Sequence, residues 1–123
     1  MGLTGNDNFI NNCKFNDIAE GIRIQGTSNR ITNCSFISTS LRCMQLYPSS
    51  QDNIIPQIPL IDVSHGIWVY GKNNKILEIT SSGKASKSHS LIYCDGEGIE
   101  IHNVKCKNTN KVCNVCTYSF SCL

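Results

Sequence analysis

Four short phrases of this chain set polar or aromatic side chains between apolar ones: Ile22-Arg23-Ile24-Gln25, Met44-Gln45-Leu46-Tyr47, Ile67-Trp68-Val69-Tyr70 and Ile92-Tyr93-Cys94-Asp95. Strict alternation is the period of a β-strand with one buried face. If the phrases are neighbouring strands, Arg23, Gln45, Trp68 and Tyr93 form one outward column. Gln25, Tyr47, Tyr70 and Asp95 run beside it, and the step along each column is about 4.8 Å. Rings beside amides and charges could bind a sugar, whose apolar face stacks on an aromatic while its hydroxyls pair with polar groups. The same rings suit a protein–protein interface, and aromatics also stack along a sheet with no further role. On residue type alone all three readings stay open. The substrate-binding candidates are Arg23, Gln45, Trp68, Tyr70, Tyr93 and Asp95.

Histidine and cysteine supply the remaining candidates. His65 stands at a strand entrance before Gly66, and it is the one weak catalytic candidate. Cys113-Asn-Val-Cys116 is half of a zinc signature. A four-cysteine site there would need Cys106 and Cys122 to converge on it; terminal disulfides and unpaired thiols are the alternatives. The 8 cysteines fall below the roughly 8–10% that marks a disulfide scaffold. Cys13 and Cys34 occupy equivalent positions of a repeat. Parallel neighbours point the same way, which is poor geometry for a bridge, so free thiols packed like small hydrophobes are expected there and at Cys43 and Cys94.

The elements that must position these residues are legible in a repeat. Residues 8–15 read NFINNCKF and residues 29–36 read NRITNCSF. With Ile10 and Ile31 as anchors, the same phase recurs at Ile55, Ile76 and Ile101, in steps of 21, 24, 21 and 25 residues. Asn8, Asn29, Asn53 and Asn74 stand two residues before an anchor, and Asn12, Asn33 and Asn103 two after. A second ladder, Ile22/Ile24, Met44/Leu46, Ile67/Val69 and Ile92/Cys94, drifts by 22, 23 and 25. Two ladders with nearly equal steps indicate a solenoid. Period-2 alternation makes it a β-solenoid. The spacing predicts an all-β, right-handed, single-stranded parallel β-helix of about five coils of 21–25 residues, stacking to roughly 24 Å, with residues 1–123 as one domain. Isoleucines and the pair Phe15/Phe36 stack inside. Asparagines form hydrogen-bonded ladders and tolerate left-handed corners, and Gly21, Gly26, Gly66, Gly71 and Gly98 end strands where positive φ is cheap.

Two stretches break the pattern. Residues 48–60, PSSQDNIIPQIPL, carry all 3 prolines, and proline cannot donate to a ladder, so an irregular loop is expected. Residues 81–90, SSGKASKSHS, read as a second loop. A net charge of +2 without a basic run gives no nucleic-acid footprint. No apolar stretch reaches the ~20 residues of a membrane span, and MGLTGNDNF has neither the basic nor the apolar region of a signal peptide. Neither terminus shows a polar cap, so the chain is expected to be truncated or part of a larger assembly.

The phrases N-x-I-x-N-C-x-F and G-I-x-I-x-G resemble coils of the right-handed parallel β-helix, or pectin-lyase-like, superfamily, over roughly residues 8–107. That resemblance implies a polysaccharide lying along the rod, and an extracellular, cell-surface or virion setting. Ser64-His65-Gly66-Ile67-Trp68-Val69-Tyr70-Gly71 is similar to the G-H-G-I-x-I-G motif of polygalacturonases, with Ser64 and one extra residue departing from it. The N-T-D, Asp-Asp and R-I-K segments of those enzymes do not occur. Asp62, Asp95, Glu97 and Glu100 are the acids near the motif, and inverting hydrolysis needs two carboxylates about 6.5–9.5 Å apart. A lyase would use Arg23, Arg42, Lys72 or Lys75 as base and a calcium ion that only the resemblance implies. The expectation is a carbohydrate-binding or catalytically incomplete solenoid. The alternatives are a pectate-lyase- or polygalacturonase-type enzyme or a piece of one, and a structural segment of a trimeric tailspike or surface adhesin.

Overall fold

A computed structural model describes residues 1–83 and 91–108, with 106 and 108 by backbone only, together with the backbone of 115–117. Every element in it is a β-strand. The chain runs in triplets, one strand per face and three faces per coil. The first coil holds β1 (Gly2–Thr4), β2 (Phe9–Asn11) and β3 (Lys14–Asn16); the second holds β4 (Glu20–Gln25), β5 (Arg30–Thr32) and β6 (Ser35–Ile37). The third holds β7 (Arg42–Leu46), β8 (Ile54–Ile55) and β9 (Ile58–Ile61), and the fourth β10 (His65–Val69), β11 (Lys75–Ile76) and β12 (Ile79–Gly83). Then come β13 (Ile92–Cys94), β14 (Glu100–Ile101), β15 (Val104–Asn108) and β16 (Val115–Thr117).

Every third strand pairs, always in parallel. The first sheet is ordered β1-β4-β7-β10-β13-β16, the second β2-β5-β8-β11-β14 and the third β3-β6-β9-β12-β15. The fold is thus the expected parallel β-solenoid. It makes about four full turns among the described residues, rather than five.

Stacking equivalent residues puts one column of like side chains inside each face. Ile10 pairs with Ile31, Ile55 with Ile76 and Ile76 with Ile101. On the first sheet Ile22, Met44, Ile67 and Ile92 form one inward column, and Ile24, Leu46, Val69 and Cys94 the next. All eight are buried, and burying one large aliphatic side chain contributes about 1.5–3 kcal/mol. Phe15 and Phe36 stack at 4.9 Å between centroids, only 8° from parallel. Cys13, Cys34, Cys43 and Cys94 are free thiols. Burial pushes the Cys43 thiol up to about 12, and its Sγ donates to His65 O at 3.3 Å.

Asparagines hold the corner before the second sheet. Asn8 N donates to Asn29 Oδ1 at 2.9 Å, Asn29 N to Asn53 Oδ1 at 2.8 Å and Asn53 N to Asn74 Oδ1 at 3.0 Å. Each amide then reaches a carbonyl: Asn29 Nδ2 donates to Gly5 O, Asn53 Nδ2 to Gly26 O and Asn74 Nδ2 to Tyr70 O. Inside the rod, a ladder of amides satisfies the backbone groups that the turn frees from the sheets. Asn12, Asn33 and Asn103 take the left-handed conformation at the next corner, with φ of 59°, 53° and 50°.

Three sequence expectations are corrected. Residues 48–60 are not one irregular loop: Tyr47 to Ser50 turn tightly, and β8 and β9 then carry the chain through Pro56 and Pro59. Backbone groups alternate sides along a strand. Ile58 N donates to Glu78 O on one side, and Ile61 O accepts from Ser38 N on the other, so Pro59 faces β6. The missing donor therefore falls there. The β6–β9 ladder begins at Phe36–Leu60, while the β9–β12 ladder is continuous over Ile58–Ile61.

The second correction concerns residues 81–90: residues 81–83 continue β12 rather than opening a loop, and 84–90 lie outside the described residues. The third concerns glycine. Gly71 and Gly98 do have positive φ, but Gly21, Gly26 and Gly66 do not. They are glycine because the coils approach too closely for a side chain. A Cβ on Gly21 would meet Cys43 O and the Phe36 ring, one on Gly26 would meet Gly5 O, and one on Gly66 would meet Leu91 O.

Candidate functional site

The outer face of the first sheet gathers the sugar-binding candidates. Arg23 pairs in register with Gln45, Gln45 with Trp68 and Trp68 with Tyr93. The second column is equally regular: Tyr47 N donates to Ile24 O, Tyr70 N to Leu46 O and Asp95 N to Val69 O. That offset by one residue aligns Gln25, Tyr47, Tyr70 and Asp95 across the ladder. All six predicted residues therefore share one face.

The rings do more than share a face. The Trp68 and Tyr93 centroids lie 5.2 Å apart at 37°, and those of Tyr70 and Tyr93 6.0 Å apart at 53°. All three are partly buried against one another and partly open. Arg23 and Gln25 are exposed at one end of the two columns and Asp95 at the other. The strip is an apolar centre with charged ends.

A third column completes the strip, and its joint arrangement was not apparent in the sequence. Glu20 pairs in register with Arg42, and Arg42 with His65. Arg42 Nη2 donates to Glu20 Oε1 at 2.8 Å, and Arg23 Nε lies 3.6 Å from Glu20 Oε2. The Arg42 guanidinium carbon sits 4.7 Å from the centre of the Trp68 ring, an arrangement in which a cation meets the negative face of the π-system. The hydrogen bond from Arg42 holds the Glu20 carboxyl below its usual range, helped by the charges of Arg42 and Arg23 and opposed by partial burial. Trp68 Nε1 and Arg42 Nε are buried without a hydrogen-bond partner among the described protein groups. The signal for this column was its position: Glu20, Arg42 and His65 each stand three residues ahead of the outward residue in their own phrase.

His65 meets Trp68 edge to face, at 5.8 Å and 88°. The acids considered near it are dispersed. Asp62 occupies the left-handed corner after β9, with φ of 53°. Glu97 and Glu100 lie against Lys72 at 3.6 Å and Lys75 at 3.3 Å. Of the four, only Asp95 stands in the strip. Among the described residues, no three or more His, Cys, Asp or Glu side chains gather to hold a metal ion. Cys113 lies outside the described residues; Cys116 falls in β16, where only the backbone is described.

Another depression of the surface lies elsewhere. A groove of about 430 Å³ is lined by Asp52, Ile54, Asn73, Lys75, Gly98 and Glu100. It holds no aromatic ring, and its Lys75 and Glu100 pair with each other, so it lacks the stacking surface that the strip provides. Comparison with protein-family models, curated proteins and solved structures finds no match to this chain.

Proposed function

We propose that this chain is a polysaccharide-associated, carbohydrate-binding solenoid of the pectin-lyase-like kind, without a complete catalytic set, and that the outer face of its first sheet is the binding face. A polysaccharide ligand would place it outside the cell, on a cell surface or on a virion. One observation carries the reading. Trp68, Tyr70 and Tyr93 form a continuous ring surface across two adjacent coils, flanked in register by Gln45 and Arg23 and by Asp95. Ring faces supply stacking area at low entropic cost, and amides and charges at the margins pair with hydroxyls.

Arg42 supports the same assignment. Stacked on one side of Trp68 and anchored by Glu20, it fixes the indole plane before a ligand arrives. Preorganisation of that kind lowers the cost of binding.

The test is a glycan array probed with the wild-type chain and with Trp68→Ala. Retention of selected polysaccharides by the wild type, falling at least tenfold in the variant, supports the reading. Equal signal from both proteins overturns it. Incubation with polygalacturonate, followed for new double bonds and new reducing ends, tests the enzymatic alternative; either product would replace binding alone with catalysis.

A further inference from the structure

The strip continues past its rings into a depression. A hollow of about 120 Å³ is lined by Gly2, Leu3, Thr4, Arg23, Gln25 and Tyr47. Its position follows from the register. Gly2 pairs with Arg23 and Thr4 with Gln25, so β1 extends both outward columns by one residue. Gly2 brings no side chain to the first column, and a Cβ built there would meet nothing within 4 Å. At Gly2 the column carries no side chain, which leaves open space beside Arg23. Tyr47, in register with Gln25 and Tyr70, is the aromatic wall between the hollow and the ring cluster.

Resting on the carbohydrate-binding reading, we propose that this hollow is a separate subsite for one further sugar ring, with Tyr47 as its stacking wall and Arg23 and Gln25 as its polar contacts. At about 120 Å³ the hollow is a shallow depression, of a size to receive part of one sugar ring against Tyr47 rather than to enclose a longer chain. Arg23 meets Glu20 through its Nε at 3.6 Å, and the guanidinium carries five N–H donors, more than that contact uses. The ligand would run along the rod axis, because the hollow and the ring cluster lie at successive coils of the same two columns. Its length would then decide affinity: a short oligosaccharide fills the Trp68–Tyr93 surface, and only a longer one reaches Tyr47.

The experiment is the same array, printed with each glycan from disaccharide to hexasaccharide and probed with wild type, Tyr47→Ala, Tyr47→Phe, Gly2→Leu and Trp68→Ala. Both sites are outward-facing, and unchanged thermal unfolding of the variants verifies that they fold. The expected result is a loss of about tenfold on the longer fragments for Tyr47→Ala and for Gly2→Leu, which fills the hollow, with little change on the shortest fragments that bind. Tyr47→Phe should keep most of the affinity, since the ring face remains. Length-independent behaviour of Tyr47→Ala and Gly2→Leu, whether no loss or uniform loss, overturns the subsite while leaving the Trp68 result to judge the wider reading. A wild type that retains no glycan of any length overturns both.

Discussion

Asn53 gives two hydrogen bonds to one oxygen: its backbone N–H and its side-chain amide both reach Asn74 Oδ1, each at 3.0 Å. The same side chain donates to Gly26 O at 3.0 Å, and its own Oδ1 accepts Asn29 N at 2.8 Å. One buried side chain thus joins three coils. Replacing it by alanine leaves Asn29 N without its acceptor in the interior and removes one of the two donors to Gly26 O, which keeps the Gln51 N–H at 3.1 Å. Asn53→Ala should cost about 2–4 kcal/mol, read as a lower denaturant midpoint at constant slope. Asn53→Asp should behave differently with pH. Its carboxylate would face Gly26 O, an acceptor, so its folded pKa should rise above the unfolded value of about 3.9. Stability would then be greatest in acid and would fall as pH rises. A variant whose stability does not depend on pH would show that the site relaxes away from Gly26 O.

Gly66 and Gly2 make a contrasting pair. A Cβ on Gly66 runs into Leu91 O, which belongs to the backbone of the next coil and cannot turn aside. Gly66→Ala should cost about 2–4 kcal/mol through overpacking. Gly2→Ala, where a Cβ meets nothing within 4 Å, should change stability by no more than about 0.5 kcal/mol. Thermal melts of the two variants decide the matter. A mild effect at Gly66 would mean that the coils can separate locally, contrary to the close-approach account of this residue.

Glu20 makes the strip sensitive to acid. Its carboxyl is held below the ordinary value of 4.5, first by the hydrogen bond from Arg42. A group whose folded pKa is depressed contributes stability above its unfolded pKa and loses it as pH falls through the folded value. Wild-type stability should therefore decline below about pH 4.5. In Glu20→Gln this contribution is missing, so the variant is less stable near neutrality and converges with wild type in acid. Because Arg42 also lies over Trp68, native tryptophan fluorescence should change over the same pH range in wild type and not in the variant. Parallel curves for the two proteins would remove Glu20 from the account.

The fold was legible in the sequence because a solenoid repeats one decision. Ile10, Ile31, Ile55, Ile76 and Ile101 stand one coil apart, and each must be buried by its neighbours, so their spacing states the coil length directly. The asparagines two residues earlier were legible for the same reason, as was the outward column Arg23-Gln45-Trp68-Tyr93. In a parallel ladder, equivalent positions must share a face.

What depends on distances between coils was decided only in three dimensions. Pro59 within β9 was not readable from composition, because the cost of a proline depends on which neighbour its missing N–H would have served. Gly21 and Gly66 read as turn glycines, whereas their role is set by carbonyls more than twenty residues away in sequence. The stacking of Arg42 on Trp68 and its anchoring to Glu20 are likewise tertiary facts. Period and alternation are local quantities that a single strand writes down, so the sequence by itself determined the solenoid and the face its aromatics share. Ion pairing, close backbone approach and the hollow beside Arg23 arise between segments, and only the stacked coils bring those segments together.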